Sequence, residues 1–193
     1  INHINTNNKT ILMYAAQCSF DVRTVKYLLD KGANIDIKNS NEWTALMYAA
    51  RYNPNPAVME DLILRGANSE PNSVGLTVTM LASCNPNPGV LLTLLKYKNE
   101  INSVTDNGKT ALMYACENNQ NAAVIKMLID NSANLNARDS NGKTVREYMS
   151  ANTSLSASDM GIAWKTLEEN ASADSKKNNI DEDNETLTAE EEQ

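Results

Sequence analysis

The six residues TALMYA occur at Thr44–Ala49 and again at Thr110–Ala115. Near-copies begin at Thr10 as TILMYA and at Thr77 as TVTMLA, and a fifth threonine, Thr144, stands in the same register. The spacings between the five threonines are 34, 33, 33 and 34 residues. A fixed period of this length indicates a solenoid of stacked repeats rather than a single globule.

Each repeat is predicted to consist of a turn, a short helix, a loop, a second helix and an extended finger. The threonine is the expected N-cap of the first helix. Two residues before it, Gly or Asn tolerates the positive φ of a tight turn, and Glu42 breaks this rule. The second helices carry apolar residues at i, i+3 and i+4, which predicts one buried face for each. Their expected N-caps are four Asx residues in register: Asp21, Asn55, Asn87 and Asn121.

These motifs resemble the ankyrin repeat. That family opens its first helix with Thr-Pro-Leu-His-x-Ala and ends its second with Leu-Leu-x-x-Gly-Ala-Asp or Asn, and the corresponding stretches here are TALMYA and YLLDKGAN. The resemblance implies an all-α ankyrin-repeat solenoid of about four full repeats and a partial terminal repeat, with β-hairpin-like fingers between repeats. Methionine replaces the family's histidine, so we expect its thioether side chain to fill that space by packing.

The two ends of the chain differ from its middle. After Thr144, polar residues replace the Leu and Met of the other repeats, which predicts a terminal repeat with no further repeat stacked on it. The stretch SASDMGIAWKTLEE predicts a capping box at Ser156 and Asp159 and a closing helix over residues 157–169. We therefore expect a solenoid over residues 1–169, followed by an acidic, disordered tail over residues 170–193.

The net charge of −7 belongs to the end of the chain. Residues 168–193 hold ten acids and two lysines, which leaves fourteen acids and fifteen bases in residues 1–167. Without a basic stripe in the body, nucleic-acid binding is not expected. No apolar run approaches the roughly 20 residues that span a bilayer, so membrane insertion is not expected either.

The residues that usually carry catalysis are scarce. His3 is the only histidine, which excludes a Ser/His/Asp triad and an HExxH site within this sequence. The glycines form no phosphate-binding motif. Cys18, Cys84 and Cys116 lack CxxC spacing and stand near the ends of first helices, where we expect buried, inert thiols. The sequence predicts no enzyme activity, no metal and no cofactor.

The family resemblance implies that partners dock on the concave face, which finger tips and the exposed side of the first helices form. The residue before the helix-opening threonine is Lys9, Lys109 or Lys143 in three repeats but Trp43 and Leu76 in the two between. This interruption and its neighbours have the composition of an interface hot spot. The predicted partner-binding residues are Trp43, Tyr48, Arg51, Tyr52, Val74 and Leu76.

Two alternatives stay open for these aromatic residues. Trp43 could instead lie flat against the adjacent finger. A tyrosine also recurs four residues after the threonine, as Tyr14, Tyr48, Tyr114 and Tyr148. These four tyrosines form either a ladder that supports the concave face or a set of direct partner contacts.

The leading functional prediction is a monomeric protein–protein interaction scaffold that binds an unidentified protein or peptide on the concave face. A second class is a targeting or regulatory module of a longer, enzyme-containing chain, whose catalytic part would lie upstream of Ile1. A third class, a structural spacer, requires the Trp43 cluster to be buried or dispensable. The sequence leaves the partner and the cellular compartment open.

Overall fold

The computed structural model describes residues 1–97, 100–153 and 155–169, and these residues form ten helices. The helices are α1 (Ile11–Cys18), α2 (Val22–Asp30), α3 (Ala45–Tyr52), α4 (Pro56–Leu64), α5 (Val78–Ser83), α6 (Pro88–Leu95), α7 (Ala111–Asn118), α8 (Ala122–Asp130), α9 (Val145–Ser150) and α10 (residues 157–169). The described residues contain no β-strand, so the predicted all-α class is confirmed. The predicted acidic tail, residues 170–193, lies outside them.

The helices form two layers. The first helices of the repeats contact one another in the order α1, α3, α5, α7 and α9, and the second helices in the order α2, α4, α6 and α8. Each first helix also contacts the second helix of its own repeat, from α1 with α2 to α7 with α8. Each repeat therefore packs on its neighbours in sequence, which confirms the predicted solenoid.

Threonine caps the first helix of every repeat. In the fourth repeat, the backbone N–H of Met113 donates a 3.3 Å hydrogen bond to Thr110 Oγ1, and the same bond recurs at the other four threonines. Four of the residues that donate it are fully buried methionines: Met13, Met47, Met80 and Met113. Methionine therefore fills this position by packing, as predicted.

The Asx residues cap the second helices, as predicted. Asn55 Oδ1 accepts a 3.1 Å hydrogen bond from the backbone N–H of Ala57, and Pro56 occupies the first helical turn. The same asparagine also reaches the repeat before it, because its Nδ2 donates a 2.7 Å bond to the carbonyl oxygen of Phe20. These asparagines therefore stabilise a helix end and a repeat interface together.

A second set of asparagines forms a buried ladder along the solenoid. Its members are Asn53, Asn85, Asn119 and Asn152. Asn85 Nδ2, for example, donates to the carbonyl oxygens of Ala50 at 3.0 Å and Asn53 at 2.9 Å, both in the preceding repeat. Its Oδ1 accepts a 3.0 Å bond from the backbone N–H of Asn87. One side chain thus satisfies three backbone groups and joins two repeats.

The finger turns all contain a residue with positive φ two positions before the capping threonine. Glu42 departs from the rule in residue type but not in conformation, since its φ is 60°. Its Oε2 accepts a 2.6 Å hydrogen bond from the backbone N–H of Ser73 in the next finger. This bond favours the carboxylate and lowers the pKa of Glu42.

The third, fourth and fifth fingers contact one another through backbone hydrogen bonds, such as the 3.0 Å bond from the N–H of Asp106 to the carbonyl oxygen of Val74. The backbone N–H of Ser140 donates a 2.9 Å bond to the carbonyl oxygen of Asn107. A Cβ atom on Gly108 would lie 3.0 Å from Asp139 Cα, so only glycine fits this turn. The antiparallel bridges Val104–Thr110 and Arg138–Thr144 occur in these two fingers, and no longer ladder extends from them in the described residues.

Helix α10 covers the end of the fifth repeat. Ser156 Oγ accepts a 3.1 Å bond from the backbone N–H of Asp159, at the predicted cap. Ala163 and Leu167 are buried in the common core. The guanidinium carbon of Arg146 lies 5.4 Å from the ring centroid of Trp164. The apolar side of α10 therefore packs on the last repeat, whereas the domain boundary at residue 169 stays a prediction.

The cysteines occupy different positions on the first helices. Cys84 and Cys116 are buried, but Cys18 is exposed, so the expectation of a buried thiol is wrong for Cys18. Cys116 is the sixth residue after its threonine, like the fully buried Ala50. Cys18 is the eighth residue after its threonine, like the exposed Tyr52. At this position the side chain points away from the adjacent helices and into solvent.

Candidate functional site

The finger/first-helix face carries a row of residues that stand directly before the capping threonines. In the first and fourth repeats, this residue bonds the side chain that lies eight residues later, in the last turn of the first helix. Lys109 Nζ binds Glu117 Oε2 at 2.9 Å, and Lys9 hydrogen-bonds Gln17 in the same way. In the second repeat the residues at these positions are Trp43 and Arg51, so an aromatic ring replaces the lysine of the outer repeats.

The lysines of this row lie against the recurring tyrosines. Lys9 Nζ is 4.5 Å from the ring centroid of Tyr48, and Lys109 Nζ is 4.6 Å from that of Tyr148. Such cation–π contacts contribute about 0.5–1 kcal/mol at exposed sites. Lys9 and Lys109 therefore each contact a tyrosine of the following repeat and help to hold the face together.

The tyrosines support the finger turns. Asn39, at the base of its finger, donates a 3.1 Å hydrogen bond from Nδ2 to Tyr48 Oη. Tyr148 Oη donates a 2.6 Å bond to Asp139 Oδ2, and burial together with this bond raises the pKa of Tyr148. Tyr48 is only 8% exposed and Tyr148 only 3%. The supporting role therefore fits both residues better than direct contact with a partner.

Trp43 packs against two tyrosines of its own repeat. Its ring centroid lies 5.1 Å from Tyr48 at an interplanar angle of 57°, and 6.1 Å from Tyr52 at 30°. Aromatic pairs at these distances contribute about 0.5–1.5 kcal/mol beyond the area they bury. Tyr52 is 49% exposed and Trp43 is only partly buried, so one side of this aromatic cluster faces solvent.

A cavity opens beside the cluster because the third repeat has a short first helix. Helix α5 has six residues, whereas α3 and α7 have eight. Only seven residues separate Thr77 from the ladder residue Asn85, and the third repeat therefore has no counterpart of Tyr52 or Asn118. The cavity has a volume of about 330 Å³ and is lined by Trp43, Arg51, Tyr52, Leu76, Leu81, Cys84, Tyr114, Glu117 and Asn118.

Arg51 is held at this cavity by two contacts. Its Nη1 donates a 3.0 Å hydrogen bond to the carbonyl oxygen of Cys84 in the third repeat. Its guanidinium carbon also lies 5.2 Å from the ring centroid of Tyr52. Within residues 1–97, 100–153 and 155–169, no carboxylate pairs with Arg51, whereas Glu117 on the other side of the cavity pairs with Lys109.

The structure brings together most of the predicted site, but not all of it. Trp43, Arg51, Tyr52 and Leu76 line the same cavity, with Tyr48 packed against the first of them. Val74 is 50% exposed and lines a separate cavity of about 220 Å³ with residues of the next finger. Tyr114 lines both cavities, so Val74 is a neighbour of the cluster rather than a member.

Comparison with known families identifies this architecture. The family model described as ankyrin repeats (3 copies) matches residues 1–74 and 79–154. The chain belongs to the ankyrin repeat family. A comparison with curated proteins gave no match. Ankyrin repeats are generally protein–protein interaction modules, and the cavity lies on the face that joins the ankyrin finger turns to the first helices.

Sequence reasoning missed several residues of this ankyrin-repeat cavity. Leu81, Tyr114, Glu117 and Asn118 line it but were not among the predicted partner-binding residues. A signal for the cavity does exist in the sequence. The asparagines at the ends of the first helices are 34 residues apart from Asn85 to Asn119 but 32 from Asn53 to Asn85, which reveals the shortened third repeat.

In the part of the chain that the structure describes, no helix is both long enough and apolar enough to cross a bilayer.

The thiol of Cys84 lines the cavity. Burial raises its pKa to about 11. At neutral pH this group is therefore a protonated thiol and a poor nucleophile.

Proposed function

We propose that this ankyrin-repeat protein is an interaction scaffold without catalysis of its own, and that it binds a protein partner at the Trp43 cavity. The observation that carries the proposal is the gap left by the short helix α5 beside an exposed aromatic cluster. An aromatic anchor, an arginine and a recess lined by Leu76 and Leu81 are the usual parts of a binding hot spot.

The composition of the cavity supports binding over chemistry. Its titratable groups are engaged in contacts that hold the cavity together, since Arg51 bonds the Cys84 carbonyl and Lys109 bonds Glu117. The Cys84 thiol is protonated at neutral pH. What the cavity offers a ligand is shape, apolar surface and charge.

The test compares partner capture by the wild type and by Trp43→Ala. Each protein is immobilised, incubated with lysate, and the bound proteins are quantified by mass spectrometry. Tyr27→Ala is the matched control, because Tyr27 is 62% exposed on helix α2 and lies outside the cavity. We expect a partner that Tyr27→Ala retains and Trp43→Ala loses.

The affinity of that partner is then measured with the purified proteins. Truncation of a hot-spot tryptophan costs at least about 2 kcal/mol, roughly a 30-fold rise in Kd. Unfolding curves of both variants verify that the folded state persists. Wild-type affinity in a folded Trp43→Ala protein would refute the proposal.

A further inference from the structure

The Arg51 side chain is preorganised but incompletely bonded. Nη1 is bound to the Cys84 carbonyl oxygen, and the guanidinium plane lies near the Tyr52 ring. A guanidinium has five N–H donors, and within the described residues the carbonyl of Cys84 is the one hydrogen-bond acceptor that Arg51 contacts. A fixed guanidinium loses little conformational entropy when it binds a carboxylate.

The charges around the cavity favour an anionic group. Glu117 is paired with Lys109 through both of its carboxylate oxygens, at 3.0 and 2.9 Å. That pair is neutral as a unit, so the positive charge of Arg51 is left without a counter-ion among the described residues that line the cavity. A basic ligand side chain placed here would be repelled by Arg51.

The lining next to Arg51 is apolar. Leu81 is 4% exposed, and Leu76 and Trp43 pack against the hydrophobic core with their outer surfaces on the cavity. A volume of about 330 Å³ lies at the lower end of the roughly 300–1,000 Å³ that ligand pockets span. It therefore suits one or two side chains of a peptide rather than a large cofactor.

From this geometry we infer that the cavity binds a peptide segment of a partner protein in which an apolar residue stands next to an Asp or Glu. The apolar side chain enters between Trp43, Leu76 and Leu81, and the carboxylate accepts hydrogen bonds from Arg51. This assignment rests on the proposed function, because it specifies the partner chemistry of the same cavity.

The experiment is a selection from an immobilised library of capped pentapeptides with three randomised central positions. Wild type, Arg51→Gln, Trp43→Ala and Lys143→Gln are compared under the same conditions. Lys143 lies in the same row of the face but outside the cavity, so Lys143→Gln controls for a general loss of positive charge. Thermal unfolding of each variant verifies that it is folded.

The wild type and Lys143→Gln are expected to enrich peptides with adjacent apolar and acidic residues. Arg51→Gln is expected to lose the acidic preference, with binding of the best wild-type peptide weakened by roughly 10-fold or more, since its charge-assisted hydrogen bonds are removed. Replacing the acid of that peptide by its amide should weaken wild-type binding to a similar degree and leave Arg51→Gln nearly unaffected.

Three outcomes overturn the inference, and they differ in what they mean for the proposed function. Enrichment of neutral or basic peptides that depends on Trp43 refutes the acidic ligand but leaves the scaffold proposal standing. No enrichment that depends on Trp43 refutes the peptide assignment, whereas the scaffold proposal is decided by the capture test with Trp43→Ala. An acidic preference that persists in folded Arg51→Gln also refutes the assignment, because the charge would then be recognised elsewhere.

Discussion

The side-chain amide of Asn85 lies 2.9 Å from the backbone carbonyl oxygen of Asn53, so one buried asparagine binds the next along the solenoid. The link recurs from Asn119 to Asn85 at 2.8 Å and from Asn152 to Asn119 at 2.9 Å. Because each of these buried bonds joins equivalent positions of two successive repeats, the ladder helps to fix their register.

Removal of one ladder residue should destabilise the protein strongly. In Asn85→Ala, the carbonyl oxygens of Ala50 and Asn53 and the N–H of Asn87 lose a partner in the interior. An unsatisfied buried group costs about 1–3 kcal/mol, so for three such groups we expect a loss of at least about 3 kcal/mol in the free energy of unfolding. Urea unfolding followed by circular dichroism measures it.

The matched control for this substitution is Asn118→Ala. Asn118 is exposed, and its side chain bonds only to groups of its own repeat. We expect a change within about 0.5 kcal/mol. Equal losses in the two variants would show that the ladder has no special role.

Two glycines with the same conformation should respond differently to alanine. Gly108 and Gly142 have φ values of 75° and 79°, but only at Gly108 would the added Cβ meet backbone atoms, at 3.0 Å. Gly142→Ala should cost about 1–2 kcal/mol for the left-handed conformation. Gly108→Ala should cost roughly 1–3 kcal/mol more because of the overlap. Similar unfolding midpoints in denaturant would contradict the close approach of the fingers.

The contact between Glu42 and Ser73 should make stability depend on acidic pH. The pKa of Glu42 is lowered in the folded state, so its stabilising contribution is present above the unfolded pKa of about 4.3 and is lost as pH falls through the folded value. Wild type should therefore exceed Glu42→Gln in stability near neutral pH. The difference should shrink on acidification below about pH 4. Parallel stability curves across this range would exclude the contact.

Thiol reactivity should separate the three cysteines. Burial raises the pKa of Cys84 to about 11 and that of Cys116 to about 12, whereas Cys18 is exposed. At about pH 8, a thiol-specific chromogenic reagent should modify one cysteine quickly in the folded protein and three after denaturation. In Cys18→Ser the fast reaction should disappear, and its persistence would show that a buried thiol is accessible.

Local hydrogen bonds made much of the fold predictable. Thr110 caps its helix through a backbone N–H three residues on, and Asn55 does so two residues on, so both bonds follow from neighbouring residues. The carbonyl oxygens that the ladder Nδ2 groups bind are 32 to 37 residues away, so these bonds do not follow from neighbouring residues. Cys18 was mispredicted because it lies two positions further along its helix than the buried Cys116 lies along its own, and this places its side chain in solvent.

The candidate site was predictable in composition but not in shape. The interruption of the lysine row pointed to Trp43 and Leu76, and both line the cavity. The walls of the cavity come from three repeats. Glu117 is brought to the same cavity as Arg51 only by the stacking of α3, α5 and α7. Val74 was grouped with them by its place in the sequence, although the finger turns its side chain toward the next repeat.

The sequence by itself determined the repeat, its period, the caps of its helices and the buried faces, because these depend on contacts within a turn or two of the chain. The tertiary structure decided which asparagines join the repeats, which cysteine faces solvent, and where the cavity opens. A missing residue in the third repeat opens a recess only when longer helices stand on both sides of it.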